Sequence, residues 1–202
     1  PLLPGLDLAS LPVLDLSTTS DALPGSATGD RSVVSRLVAA ADGRTLGRWG
    51  EGRLVDTVLD AGGETPTVHL GIDVFLPAGT PVAAPVGGRV RIERGAVVIE
   101  AGLFDVCLAG IDPYRGLRET VAPGDDLGTV SPDGPDGLPA HVHVARVAEP
   151  GLAAPHAAVP SLSGAWLRLC PDPSSLLGLL PGHAAAPPDD AADLLARRDR
   201  VL

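Results

Sequence analysis

Apolar residues fall at helical spacing in one clear early stretch, Val33, Val34, Leu37, Val38 and Ala41, which predicts a helix over residues 31–41 with Gly43 as its stop. Residues 65–147 have a different texture. Short apolar runs such as Val68-His69-Leu70, Arg89 to Glu93, Ala96 to Glu100 and Val142-His143-Val144 are separated by Gly, Pro and Asp. Regular turn spacing of this kind predicts a mainly β fold, an antiparallel sandwich or barrel-like sheet with short peripheral helices. Residues 1–30 show no sustained periodicity and read as an extended lead-in. Beyond about residue 150 the pattern loosens into Ala/Pro-rich loops. Residues 189–200 read as a terminal helix, with Asp189, Asp190 and Asp193 at its start and Arg197, Arg198 and Arg200 at its end, the charge order a helix dipole favours. The expected organisation is therefore an N-terminal extension over 1–64, a β domain over 65–147 and a C-terminal extension over 148–202.

Composition narrows the classes of function. A chain of 202 residues can form one sizeable core, and with only 2% aromatic residues that core must be built from Val, Leu, Ile and Ala. The net charge of −10 argues against nucleic-acid binding, which needs clustered cations. No apolar run is long enough to span a membrane. Cys107 and Cys170 lie far apart without C-x-x-C spacing and read as two thiols rather than as a disulfide. The first residue is Pro rather than Met, which reads as an excised or processed piece.

The chemistry concentrates in two short motifs, His69-Leu70-Gly71-Ile72-Asp73 and His141-Val142-His143. Neutral imidazoles and one carboxylate suit a catalytic zinc, which takes three protein ligands and leaves one position open. Four such groups for three places leave one imidazole over as an acid or base. On a strand, residues two apart share a face roughly 6.5 Å apart, so His141 and His143 can enter one cleft. His69 and Asp73 would lie roughly 13 Å apart on a straight strand, too far for one ion. Gly71 between them can take the unusual backbone angles that curl the segment. His156 and His183, in Ala/Pro-rich loops, read as structural or surface residues. Glu51 and Arg53, in the Gly-Glu-Gly-Arg segment upstream, are candidates to fold over the cleft, with Arg53 facing a substrate carboxylate or carbonyl; a surface ion pair is the plainer reading.

At these residues the sequence resembles the lysostaphin-type (LytM-like) zinc metallopeptidases, metallopeptidase family 23, whose signature is H-x-x-x-D followed late in the domain by H-x-H. The framing residues agree: Pro77-Ala78-Gly79-Thr80-Pro81-Val82, Ala84-Pro85 and Gly88-Arg89-Val90 after the first motif, and Val121-Ala122-Pro123-Gly124-Asp125-Asp126-Leu127-Gly128 before the second. The resemblance covers residues 65–147. It implies a duplicated hybrid-motif fold, zinc held by His69, Asp73 and His143, His141 as catalytic base, and cleavage of peptide bonds such as those of peptidoglycan. One departure is expected to matter. The family carries a further histidine in a Y-x-H-L segment, and here Gly110 is aligned at that place.

The flanks, Gly50 to Arg53 and Trp166 to Pro173 with Leu176-Leu177-Gly178, look like the surroundings of this domain in fusion enzymes. Those enzymes carry a kinase-like domain before it and a class III, PLP-dependent aminotransferase after it. That resemblance implies a cytoplasmic setting and covalently linked kinase-like and aminotransferase domains; without it, a secreted or periplasmic setting is expected. The reading at this stage is a zinc-dependent hydrolase acting on a peptide or amide substrate, the alternative being a zinc-binding, weakly active or inactive scaffold domain of a larger enzyme. A carrier role is disfavoured. The chain has no lysine to lipoylate, and a phosphohistidine at His141 leaves Asp73 unexplained.

Overall fold

The computed structural model describes residues 2–17, 20–23, 31–53 and 64–186. The terminal helix expected over 189–200 lies outside these residues. The strands are β1 (Val13–Leu14), β2 (Thr45–Gly47), β3 (Val68–His69), β4 (Ile72–Phe75), β5 (Pro81–Ala83), β6 (Gly88–Glu93), β7 (Ala96–Glu100), β8 (Asp105–Ala109), β9 (Ile111–Pro113), β10 (Thr120–Val121), β11 (Asp126–Val130), β12 (His141–Val147) and β13 (Ala157–Ala158). Eight of them form one sheet in the order β1-β2-β4-β12-β8-β7-β6-β10, three form a second in the order β5-β11-β9, and β13 pairs with β3. Every pairing is antiparallel except β1 with β2. The fold is mainly β, as the turn spacing predicts.

Two-residue alternation sorts the large sheet into two faces. Leu46, Ile72, Val74, Val97, Ile99, Val106, Leu108, Val142 and Val144 point one way and are buried. Val82, Ile111, Leu127 and Val130 of the smaller sheet join them in one core. This is a sandwich filled with aliphatic side chains, since the chain has only two Phe, two Trp and one Tyr to place. The segments flanking 65–147 contribute to the same body. Leu2, Leu3 and Leu8 enter the core from one end, and Leu177, Leu179 and Ala184 from the other.

The opposite face of the sheet carries the polar residues, Asp73 on β4 and His141 and His143 on β12. Helix α1 (Arg31–Ala40) covers part of that face, packing Val33, Val34 and Val38 around Phe75. It ends in a Schellman turn, with the Asp42 and Gly43 N–H groups donating to the Ala39 and Val38 carbonyls. The left-handed residue there is Asp42 as well as Gly43, with φ of 53° and 69°. Further along, α2 (Ser163–Leu169) lays Trp166 and Leu167 against Val68, Leu70, Val147, Ala158 and Cys170. Cys107 and Cys170 are free thiols, each pushed by burial up to about 11. Among the described residues no helix is long and apolar enough to cross a membrane.

Candidate metal centre

His69 and Asp73 reach one point because they sit on different sheets. Strand β3 pairs with β13 and ends at His69, while β4 begins at Ile72 between β2 and β12. The chain changes sheets across Leu70-Gly71, so the expected curl within one strand is replaced by a step between two. Gly71 is needed for a different reason from the one its sequence context offers. It is not among the residues with positive φ. A Cβ there would instead lie 2.5 Å from the Val144 carbonyl oxygen and 2.6 Å from His143 Cε1, so the glycine leaves room for the His143 ring.

The antiparallel register places His143 directly opposite Asp73, with His141 opposite Phe75. The result is a compact triangle: His69 Nε2 to His143 Nδ1 is 3.0 Å, His69 Nε2 to Asp73 Oδ1 is 3.1 Å, and His143 Nδ1 to Asp73 Oδ1 is 2.9 Å. A tetrahedral zinc with bonds of about 2.0–2.1 Å spaces its ligand atoms roughly 3.3 Å apart. The three residues form a group able to hold a metal ion, and all three are buried.

Proton counting shows that this donor set fits a cation. His69 Nδ1 lies 2.7 Å from the Arg48 carbonyl oxygen and must donate to it, which leaves a lone pair on Nε2 facing Asp73. His141 Nδ1 likewise donates to the Pro139 carbonyl at 2.8 Å, leaving its Nε2 lone pair 3.6 Å from Asp73 Oδ1. One carboxylate oxygen therefore faces two imidazole lone pairs, and only His143 Nδ1 has a proton to offer it. His143 Nε2, in turn, is buried without a hydrogen-bond partner among the described residues. A cation held between His69, Asp73 and His143 would turn His69 Nε2 and Asp73 Oδ1 into ligands and would let His143 carry its proton on Nε2, leaving the His141 lone pair free.

The other oxygen of Asp73 is held from behind. Arg53 Nη1 donates to Asp73 Oδ2 at 2.5 Å, and Arg53 Nε donates to Glu51 Oε2 at 2.6 Å. Glu51 Oε1 accepts the Leu16 N–H at 2.9 Å. Gly47, opposite Asp73 on β2, gives the guanidinium room, since a Cβ there would stand 2.5 Å from Arg53 Nη2. Glu51 and Arg53 are not a surface pair: they are 0% and 6% exposed. What Glu51 meets is Arg53 and the Leu16 amide rather than the cleft, and Arg53 reaches the cleft wall with Nε and Nη1 bound to the two carboxylates. Such a partner orients a metal-binding carboxylate.

Charge and burial set the protonation states. Burial alone would raise the Asp73 carboxyl, but the Arg53 guanidinium and the hydrogen bond from His143 hold it well below the usual carboxylate range. Burial pushes His143 down to about 3 and, with the Arg53 charge, lowers His69 as well. Burial also raises Glu51 against the pull of Arg53. For the metal-free protein the sign follows. A histidine depressed in the folded state binds its proton only after unfolding, so its contribution is complete above about pH 6.5 and is lost as pH falls toward the folded value. His156 is raised by its contact with Asp136, although burial opposes this, and its contribution lies on the other side, fading as pH rises above that range. In chelator, the unfolding free energy from urea titrations is expected to fall from pH 6.5 to pH 4, by at most about 1.4 kcal/mol per pH unit for His143 and with His69 adding in the same direction. An unfolding free energy unchanged across that range would contradict it.

Two further placements differ from the sequence reading. Gly110 cannot hold a histidine: its φ is +80°, and a Cβ would lie 2.1 Å from the His141 carbonyl oxygen. The residue facing the site is Ala109, which stands opposite His143 in the β12–β8 ladder. Aligning the Y-x-H-L segment on Cys107-Leu108-Ala109-Gly110 therefore puts its histidine position at Ala109. His156, taken from sequence as a structural or surface residue, lines the cleft with His69, Asp73 and His141. Its ring stacks on His143 with centroids 4.5 Å apart. His183 is exposed.

No protein-family model matches the chain, and no curated protein does. Among solved structures it is similar to the catalytic domain of a prophage-encoded M23 protein from Enterococcus faecalis, with 21% identity over 53% of this chain and 87% of that one and a TM-score of 0.38. The catalytic domain of the antimicrobial peptidase lysostaphin from Staphylococcus simulans is similar at 19% identity, covering 59% of this chain and 91% of that one, with a TM-score of 0.37. A putative glycyl-glycine endopeptidase from Ruminococcus gnavus gives 22% identity over 56% of this chain and a TM-score of 0.35, and the chain spans 46% of its length. The proteins of known structure that this chain is similar to thus include M23 peptidases.

Proposed function

We propose that the chain is a zinc-dependent hydrolase of peptide or amide bonds, in which His69, Asp73 and His143 hold the ion and His141 is the general base. The observation that supports this most is the proton shortage at Asp73 Oδ1: the oxygen closes a triangle of zinc-ligand dimensions with His69 and His143, and it faces the lone pairs of His69 within the triangle and of His141 outside it. Zinc, when bound, supplies a Lewis acid that polarises a carbonyl and acidifies water.

The chain's own residues set up the rest. The Arg48 carbonyl fixes the His69 tautomer, and Arg53 fixes the Asp73 carboxylate. His141 Nε2, its ring held by Pro139 on one side and packed on Phe75 at 4.9 Å on the other, is the lone pair left to take a proton from water in the cleft. The same nitrogen can return that proton to the departing amine. The cleft holds about 50 Å³, room for water and the reacting group but not for a whole substrate. The bulk of a substrate must therefore lie outside it.

The test is hydrolysis of a panel of oligoglycine, mixed peptides and simple amides by zinc-loaded protein. Turnover that disappears with chelator and returns with zinc is expected. One zinc per chain with no turnover of any member would assign the chain instead to a scaffold within a larger enzyme.

A further inference from the structure

A fourth imidazole, that of His156, opens on the same cleft, and none of the roles assigned above uses it. His156 immediately precedes β13, and its backbone is locked to the metal-binding segment: its carbonyl accepts the Leu70 N–H at 2.9 Å, while the next residue, Ala157, pairs with His69. The ring stands against His143 on one side. On another its Nδ1 meets Asp136 Oδ2 at 3.3 Å, which makes Nδ1 the donor and, in the neutral ring, Nε2 an acceptor. No hydrogen bond from the described residues engages that Nε2, and a third of the side chain is exposed. Asp136 is itself set with care. It is a non-glycine residue with φ of 57°, in the Pro135–Gly137 turn just ahead of His141.

His156 also marks a junction. It lines the cleft with His69, Asp73 and His141, and it lines a neighbouring groove of about 260 Å³ walled by Val98, Cys107, Val147, Leu152 and Ala154. The groove is mostly small and apolar beside His156, and it ends at Arg91, which pairs with Glu93, Glu100 and Asp105. A chain whose scissile amide occupies the cleft must pass His156 to enter the groove. There a buried peptide N–H needs an acceptor, because leaving it unmade costs more than the bond itself contributes.

We propose that His156, oriented by Asp136, is a substrate-binding residue whose Nε2 accepts a backbone N–H of a peptide running from the cleft into the groove. The proposal rests on the hydrolase reading above. Its test is binding rather than turnover. Zinc-loaded wild type and His156→Ala are titrated calorimetrically with a phosphinate tripeptide, and then with analogues in which each flanking N–H is replaced by an ester oxygen. Wild type is expected to prefer one amide probe over its ester by about tenfold or more. His156→Ala is expected to lose that preference while retaining one zinc per chain. Asp136→Asn, which still accepts from Nδ1, should keep the preference, and Asp136→Ala should weaken it. A merely structural His156 would weaken amide and ester probes alike. If His156→Ala keeps the preference, or loses affinity for both probes equally, the role of His156 is overturned while the hydrolase reading stands. If zinc-loaded wild type binds no phosphinate, the hydrolase reading falls, and this role with it.

Discussion

Replacing His143 with alanine is expected to remove both zinc and turnover, whereas replacing His141 with alanine is expected to remove turnover and leave zinc near one per chain. The difference follows from a few tenths of an ångström and one backbone carbonyl. His143 Nδ1 is part of the triangle at 2.9 and 3.0 Å, while His141 Nε2 stands 3.6 Å from Asp73 Oδ1 and is not part of the metal-binding group. Losing a positioned general base typically costs about a hundred- to ten-thousand-fold in rate. Losing a ligand should cost zinc affinity more than the roughly 10- to 100-fold that follows loss of an outer partner. Metal content after gel filtration, measured alongside turnover, separates the two. Equal zinc loss in both variants would make His141 a ligand.

Arg53→Met is expected to be the most destabilising single change at the site that leaves every ligand in place. Arg53 lies between Asp73 and Glu51, with burial acting to lower its pKa and the two carboxylates raising it. Removing one partner of a buried ion pair typically costs about 3–5 kcal/mol, because a charge is left without compensation. For a chain of this length that corresponds to a fall in Tm of roughly 6–20 °C. Zinc should recover part of the loss, since it neutralises Asp73, but not the part due to Glu51. Glu51→Gln should cost less, because Arg53 keeps Asp73. Thermal melts with and without zinc check this; an Arg53→Met variant that melts with the wild type would show that the bridge contributes nothing.

The parts legible in sequence were those written in local spacing. Val33 to Ala41 announced α1, the runs at Arg89–Glu93 and Ala96–Glu100 announced β6 and β7, and the two histidine motifs marked the residues that meet. What escaped depends on pairings between distant segments. No local pattern says that Gly47 leaves space for Arg53, so Glu51 and Arg53 read as surface charges when the fold buries them. Ala109 rather than Gly110 faces His143 because of the β12–β8 register, and a one-residue slip reverses the face. His156 looked like a loop residue because its partners, Asp136 at 20 and His143 at 13 positions' remove, share no motif with it. Gly71 reads from sequence as a source of backbone freedom; the structure shows that it gives steric clearance to His143.

In the proposed site two imidazoles and one carboxylate hold zinc while a third imidazole stands by. X-ray absorption at the zinc edge of protein loaded with one equivalent tests it directly. The expected spectrum has two imidazole nitrogens, with oxygen making up the remaining shell, all at about 2.0–2.2 Å, and no sulfur. A third imidazole in that shell would move His141 from base to ligand, and scattering from sulfur at about 2.3 Å would place the metal at a cysteine instead of between His69, Asp73 and His143.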